Sequence, residues 1–527
     1  MLGRDKVCAV VAAQDASSLL AQLGRALRRV RAVELRLDWL SDDHEIDRFL
    51  RSLRAREPTR KGVALLATCR RFAAGGRYRG TIAKQLIHLA DAIRAGCAWY
   101  DLEVETAREC PGELIDALLG EGRRLASAHF FERMPKNLAR VASELGRGRP
   151  DAIKIAAHCD SLADGHRLLN FARKRRDIVA IPMGEVALPA RILALRERNS
   201  FAYAPVENAT APGQVSLAEM LDVYRADRLD ARTSVYGVIG SPIGHSLSPA
   251  MQNAGFAARR INAVYVPFLV QDLHDFLASI EPLGVRGFSV TLPHKEKILR
   301  HLDDCDPLAA RIGAVNTVVV RDGGNLYGYN TDYVGVLQAF EKRIPLRGSR
   351  VLIVGAGGAA RAVAFALEQA GAAVCVTARR PPQAKALAKA VGGEAILRNR
   401  IRHEFFDAVV NATPVGMHPA AGNSPFDARE LNCRLVFDTI YRPRRTRLLQ
   451  LAASRGIETV SGVEMFVAQG TAQWEIWTGE RAPIEPMRRA VIKALDAEEK
   501  SHSRAAGRKA PREAKLQRKM HPADDSA

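Results

Sequence analysis

The feature that most constrains this chain is Gly355-Ala356-Gly357-Gly358-Ala359-Ala360. It is set between the apolar run Val351 to Val354 and a helix-patterned stretch from Arg361 to Gln369. Strand, glycine turn and helix in that order bring bare backbone N–H groups to the positive end of a helix, where a pyrophosphate is held. The following strand ends in Thr377-Ala378-Arg379-Arg380. An acidic residue there would take the ribose hydroxyls of NAD, whereas arginine suits the extra 2′-phosphate of NADP. Hydride transfer with NADP is therefore expected of the second half, on a Rossmann-type α/β lobe.

The 527 residues are too many for one core, and about three domains are expected. No apolar run reaches the ~18 residues of a membrane span. The short run Val7 to Ala13 lacks a small-residue cleavage pattern after it and reads as a first strand, not a signal peptide. The 8 cysteines are scattered singly, with no Cys-x-x-Cys pair, which fits reduced thiols, a cytoplasmic location and no metal site. The net charge of +20 invites a nucleic-acid reading. The arginines, however, are spread without an aromatic-interleaved strip, so nucleic acid is not the expected partner. Small anionic substrates, drawn by a positive field, are a better match.

Residues 1–230 alternate strand-like and helix-like segments. The strands are expected at Val7–Ala12, Val33–Leu37, Val63–Cys69, Trp99–Glu103, Leu125–Phe130, Ala152–Ile155, Ile178–Pro182 and Phe201–Ala204, with helices such as Ile82–Ala95 and Leu162–Arg173 between them. This pattern predicts a (β/α)8 TIM barrel. Glu34, Arg36, Arg70, Asp101, Glu103, His129, Lys154 and Arg191 are expected at the C-terminal ends of strands, the face where barrel enzymes work. Lys154 lies between Ile153 and Ile155. Burial of its ammonium would favour the neutral amine, a nucleophile able to form a Schiff base with a ketone. His129 is the candidate general base. Taken alone, a strand lysine more often snorkels to solvent and a histidine more often completes a core.

A new strand starts at 235–240, leading to a loop rich in glycine and proline. Residues 231–337 are expected to form one α/β lobe, 338–470 the dinucleotide lobe, 471–497 helices returning to the first lobe, and 498–527 a basic disordered tail. The first lobe carries Gly240-Ser241-Pro242-Ile243-Gly244-His245-Ser246-Leu247-Ser248-Pro249, then Val290-Thr291-Leu292-Pro293-His294-Lys295, Ala314-Val315-Asn316-Thr317 and Gly328-Tyr329-Asn330-Thr331-Asp332. Ser246 and Ser248 can present two hydroxyls to one carboxylate. Lys295 could be a solvated loop charge and Asp332 a helix cap. Ahead of a dinucleotide fingerprint, they read as a proton donor and its carboxylate partner.

Residues 1–230 resemble type I 3-dehydroquinate dehydratases. The matching pieces are Glu34-Leu35-Arg36, Thr68-Cys69-Arg70, Asp101-Leu102-Glu103, Ser127-Ala128-His129, Ile153-Lys154-Ile155-Ala156, Pro182-Met183-Gly184 and Ala211-Pro212-Gly213-Gln214. The resemblance implies that Lys154 forms the Schiff base and His129 is the acid/base group. It places substrate binding on Glu34, Arg36, Arg70, Arg191, Thr210 and Gln214. The chain departs from the family at Ala74, where a glutamate thought to help organise the histidine is usual, and at Ala190 and Thr210, where serine is usual.

Residues 231–497 resemble shikimate dehydrogenases. Besides the segments above, Asn411-Ala412-Thr413-Pro414-Val415-Gly416-Met417, Asp438-Thr439-Ile440-Tyr441-Arg442-Pro443 and Gly462-Val463-Glu464-Met465 match. The likeness implies carboxylate recognition by Ser246 and Ser248, ring-hydroxyl contacts from Thr291, Asn316, Asp332 and Gln469 with Tyr441 nearby, and Lys295 with Asp332 as the catalytic pair. NADP would be held by Gly355, Ala356, Gly357, Gly358, Ala359, Ala360, Arg379, Arg380, Thr439 and Gly462. Ser289 and Gln252 replace a usual asparagine and histidine. Together the two resemblances imply a bifunctional enzyme converting 3-dehydroquinate to 3-dehydroshikimate and then to shikimate. The alternatives are a dehydrogenase with a weak or silent barrel, and a quinate/shikimate dehydrogenase.

Overall fold

The computed structural model describes residues 6–55, 62–207, 213–244, 246–341 and 343–499. Thr210 and the tail from residue 500 lie outside them. The chain divides into two compact units, one of Met1–Gly244 with Asn262–Arg286 and one of His245–Ile261 with Gly287–Ala527. The first unit thus extends past the expected boundary at 230.

The first unit begins with eight parallel strands: β1 (Val7–Val11), β2 (Ala32–Arg36), β3 (Ala64–Thr68), β4 (Trp99–Glu103), β5 (Arg123–Phe130), β6 (Ala152–His158), β7 (Ile178–Met183) and β8 (Ala202–Pro205). They form one sheet in the order β7-β6-β5-β4-β3-β2-β1-β8, in which the first strand joins the eighth: a nearly closed barrel. Asn199 clasps the seam. Its side chain accepts from the Ala180 N–H at 2.9 Å and donates to the carbonyls of Ala180 and Phe201 at 3.0 and 2.9 Å, joining β7 to the entry of β8. Because side chains alternate along a strand, every second residue points inward. The lower interior is apolar, with Cys8, Ala32, Leu66, Trp99, Leu125, Ala152, Val179 and Phe201 packed together. One step along each strand come Glu34, Thr68, Asp101, Ser127 and Lys154, all buried.

All eight expected barrel strands are present, Trp99–Glu103 with the expected ends and the others with ends shifted. Two placements need correction. Lys154 is the third residue of β6, not its end, because the strand continues to His158. Arg191 is on the helix Leu188–Leu193 that follows β7, not on a strand. The first unit continues with β9 (Ser234–Gly240) and β10 (Ala263–Leu269), paired in parallel, and the helix Leu273–Leu283. That helix packs on the barrel helix Leu162–Arg173, and β10 packs on Leu188–Leu193.

The chain enters the second unit within β11 (Val285–Val290) and continues with β12 (Asp304–Cys305), β13 (Thr317–Val320) and β14 (Leu326–Tyr329). β13 pairs antiparallel with both β11 and β14. The dinucleotide lobe has β15 (Arg350–Val354), β16 (Ala373–Thr377), β17 (Glu394–Ala395), β18 (Phe406–Asn411), β19 (Cys433–Asp438) and β20 (Glu458–Val460), in the order β17-β16-β15-β18-β19-β20. This is a doubly wound sheet whose order reverses between β15 and β18, where such folds open a binding crevice. The helix Gly462–Thr478 runs through position 470, and its second half reaches β13 through Trp477, which donates to the Val318 carbonyl at 3.1 Å. It packs on the helix Asp332–Phe340, where a Cβ on Gly335 would lie 2.7 Å from the Met465 carbonyl oxygen. Among the described residues no helix is long and apolar enough to cross a membrane.

Candidate active sites

The barrel interior gathers the expected amine with groups of opposite charge. Lys154 Nζ donates to Asp101 Oδ2 and lies 3.7 Å from Glu34 Oε1. Arg70 reaches the same Asp101 oxygen at 3.2 Å, and Ser127 Oγ donates to Asp101 Oδ1 at 2.6 Å. Thr68 Oγ1 donates to Glu34 Oε1 at 2.8 Å. Burial alone would raise the Asp101 carboxyl, but the charges of Lys154 and Arg70 outweigh it and hold it well below the usual carboxylate range. Lys154 is thus part of an ion-pair network. The expectation of an amine neutralised by an apolar strand missed this, because Ile153 and Ile155 point to the other face.

His129 follows Ser127 on the inward face of β5. Burial, then the charges of Arg70 and Lys154, lower its imidazole well below the ordinary histidine range. It is a neutral base at pH 7. Arg36 is engaged by Asp38 through two hydrogen bonds of 2.9 and 2.8 Å. Its guanidinium is held more firmly charged, the attraction of Asp38 overcoming the cost of burial. Arg191 donates through Nε to the Pro182 carbonyl, and burial brings its guanidinium down to about 10. That hydrogen bond ties it to the end of β7. Gln214 is half-buried just beyond the undescribed 208–212 segment.

In the second unit Lys295 Nζ meets Asp332 Oδ2 at 2.6 Å, and Asn316 Nδ2 donates to Asp332 Oδ1 at 2.8 Å. Asp332 opens its helix, and the Asn330 side chain accepts its N–H at 3.0 Å. Asn316 is fixed in turn: its Oδ1 accepts from Thr317 Oγ1 at 2.7 Å and from the Thr331 N–H at 2.8 Å. Gln473 holds the Asn316 carbonyl at 3.1 Å and accepts from Ser289 Oγ at 2.8 Å, so Ser289 has a structural task where the family usually has asparagine. Gln252, in place of the usual histidine, donates to the Gly470 carbonyl at 2.9 Å. Ser246 Oγ accepts the Ser248 N–H at 3.3 Å at the start of the helix Ser248–Arg259. Thr291 is half-buried, its carbonyl accepting the His294 N–H. Gln469 donates to the Phe466 carbonyl at 2.8 Å, and the Tyr441 ring lies 4.5 Å from that of Phe466.

The turn after β15 has the form a pyrophosphate requires. Gly355 takes φ 119°, and a Cβ there would lie 2.8 Å from the Ala412 carbonyl oxygen. A Cβ on Gly357 or Gly358 would meet no described atom within 4 Å, so the N-terminus of the helix Gly358–Gln369, with Ala359 and Ala360 in its first turn, faces open space. Arg379 and Arg380 are exposed beyond the end of β16 and form no ion pair among the described residues. Open N–H groups and two uncommitted guanidinium groups fit a 2′-phosphorylated dinucleotide. Thr439 Oγ1 donates to the Asn411 carbonyl at 2.9 Å, and Gly462 abuts the Thr439 and Ile440 carbonyls, where a Cβ would lie at 2.5 Å.

Sequence families divide the chain near residue 231, within the first compact unit. The type I 3-dehydroquinase family matches residues 7–231, and the shikimate dehydrogenase substrate binding domain matches 238–318. The shikimate/quinate 5-dehydrogenase family matches 338–416, and the shikimate 5′-dehydrogenase C-terminal domain matches 462–492. The chloroplastic bifunctional 3-dehydroquinate dehydratase/shikimate dehydrogenase of Arabidopsis thaliana is 34% identical over 504 residues, covering 91% of this chain and 83% of its own. The chain belongs to the bifunctional 3-dehydroquinate dehydratase/shikimate dehydrogenase family. Within the dehydrogenase half of this family member, the NADP(+) shikimate dehydrogenase of Methanosarcina acetivorans is 44% identical over 280 residues, 50% of this chain and 99% of that protein. The shikimate 5-dehydrogenase of Thermus thermophilus, solved with NADP(H) and shikimate, is 38% identical, with a TM-score of 0.47 over 50% of this chain and 100% of its own.

The residues that sequence reading left without a role are those that tune the assigned ones. Asp101 was visible as a strand acid, but its bond to Lys154 requires knowing that β4, β5 and β6 are neighbours. Ser127 and Gln473 share that limitation. The available signal was the inward register of Asp101, Ser127 and Lys154 on successive strands.

Proposed function

We propose that this chain dehydrates 3-dehydroquinate to 3-dehydroshikimate in its barrel and reduces that ketone to shikimate, with NADPH, in its second unit. The observation that carries the reading is a buried lysine tied to two carboxylates beside a neutral histidine in one fold, and a lysine–aspartate pair in the other.

In the barrel, Lys154 gives a proton to the neutral His129 and attacks the substrate ketone, and the imidazolium returns that proton to the ketone oxygen. The ketone oxygen leaves as water and a carbon–nitrogen double bond forms. The imine acidifies the adjacent carbon, and His129 takes its proton. The same imidazolium returns that proton to the departing hydroxyl, which leaves as a second water. Hydrolysis of the imine frees Lys154. Arg70 and Glu34 sit in the same buried layer and suit the carboxylate and hydroxyl groups of the ring.

In the second unit the bound dinucleotide supplies hydride to the ketone carbon. Lys295 delivers the proton to the developing alkoxide, and Asp332, fixed by Asn316 and Asn330, keeps that ammonium charged and aimed. Ser246 and Ser248 offer hydroxyls to the substrate carboxylate. Gly355 to Ala360 would cradle the pyrophosphate and Arg379 with Arg380 the 2′-phosphate.

A coupled assay tests both halves together. Purified protein given 3-dehydroquinate and NADPH should oxidise the cofactor and accumulate shikimate. Oxidation with 3-dehydroshikimate but not with 3-dehydroquinate would show the barrel to be silent. Faster oxidation of quinate with NAD than of shikimate with NADP would replace the biosynthetic reading by the quinate one.

A further inference from the structure

His129 lacks the support that usually fixes a catalytic histidine. Its Nδ1 is buried with no hydrogen-bond partner among the described residues, so no carboxylate or carbonyl sets its tautomer and angle. Position 74, near the turn that would offer such a group, is a buried alanine. The ring is held by another contact. Phe131, two residues on and so on the same side of the chain, stacks on it with 5.9 Å between centroids and 20° between planes. Phe131 is in turn backed by the loop after β3. Gly75 takes φ 76°, and a Cβ there would lie 2.3 Å from Phe131 Cζ, so the ring rests on bare backbone. Phe131 remains 52% exposed, an unusual position for a phenylalanine with no packing task in the core.

We infer that Phe131, braced by Gly75, is a positioning residue that orients His129 and covers one face of its imidazole. The inference rests on His129 acting as the acid/base of the dehydratase. Stacking restricts the ring where hydrogen bonding does not, and it excludes water from that face. The charged groups that act on His129 are Arg70 from β3, Asp101 from β4, Lys154 from β6 and Arg36 from β2. Truncating Phe131 removes none of these charges, so the variant tests the cover over the imidazole and not its charged neighbours.

The test uses the full-length protein with Phe131→Ala, Phe131→Tyr and Gly75→Ala. Dehydration of 3-dehydroquinate is followed from pH 5 to 9, alongside borohydride trapping with that substrate and NADP-dependent oxidation of shikimate. For Phe131→Ala, kcat of dehydration should fall on the order of tenfold to thirtyfold, the scale of a slightly misplaced catalytic group, with KM within about twofold. The acidic limb of its kcat profile should move to higher pH, because water on the imidazole face relieves the desolvation that keeps the base neutral. Phe131→Tyr should restore both. Gly75→Ala should reproduce the loss by pushing the ring away. Shikimate oxidation should be unchanged in all three, and the trapped adduct should still form. An unaltered kcat and pH profile in Phe131→Ala, or a rise in KM alone, would overturn the positioning role. No trapped adduct in the unsubstituted protein would instead overturn the dehydratase reading beneath it.

Discussion

Single side chains carry the chemistry, and two lysines differ in what surrounds them. Lys154 is buried between Asp101 and Glu34, so replacing it removes the cation beside Glu34 and leaves Asp101 paired with Arg70 alone. Lys154→Met is expected to abolish dehydration and borohydride trapping, to leave shikimate oxidation intact, and to destabilise the barrel by about 3 kcal/mol, measured by thermal unfolding. Lys295 is more accessible and has one carboxylate partner. Lys295→Met should lower shikimate oxidation on the order of a hundredfold to a thousandfold, with dehydration unaffected, when the two reactions are assayed separately. Arg379 and Arg380 bear on cofactor choice. The protein should use NADPH at least about tenfold more efficiently than NADH, roughly 1.4 kcal/mol, and the double change Arg379→Ala with Arg380→Ala should erase that margin. Steady-state kinetics with both cofactors measure it. Lys295 could be named from the chain together with its partner Asp332, whereas Lys154 could be named without the acids that face it.

Elements position these groups by how their ends are tied. At the C-terminal edge of the dinucleotide sheet, Asp438 closes β19. Its carboxylate accepts from Asn411 Nδ2 at 3.0 Å, from the Ile440 N–H at 3.1 Å and from Thr446 Oγ1 at 2.6 Å, joining the ends of β18 and β19 to the segment leading into the helix Arg447–Ser454. Burial pushes this carboxyl up to about 6, only partly offset by those hydrogen bonds. Between about pH 4 and pH 6 the folded state retains a proton that the unfolded chain has released. Stability must therefore fall as pH rises through that window, by at most ~3 kcal/mol, and level off above it. Asp438→Asn should flatten that slope in urea unfolding measured at successive pH values. The strand itself is anchored by Leu435, Val436 and Phe437, all fully buried. The network at its end was not legible in the sequence, because Asn411 and Thr446 come from other parts of the chain.

At the scale of the molecule, the two compact units do not follow the boundary suggested by composition. The first unit includes β9, β10 and the helix Leu273–Leu283, which packs on the barrel helix Leu162–Arg173. A fragment ending at residue 230 loses that cover. It should still fold, because Asn199 and the first strand close the barrel within it, but its thermal midpoint should lie several degrees below that of a fragment ending at residue 286. Calorimetry of the two fragments decides this. An equal midpoint would show that the helix adds nothing to the barrel.

The order of elements, the glycine turn, the two lysines, His129 and the arginines after β16 are determined by the sequence itself, because periodicity and local backbone demands are written in consecutive residues. The tertiary structure alone decided that Asp101 faces Lys154, that Asn316, itself held by Gln473, fixes Asp332 from a separate element, and that Gly75 backs the phenylalanine stacked on His129. The physical reason is distance along the chain. Burial and Coulombic pairing act through space, so the environment that sets a group's charge and direction exists only once remote strands have become neighbours.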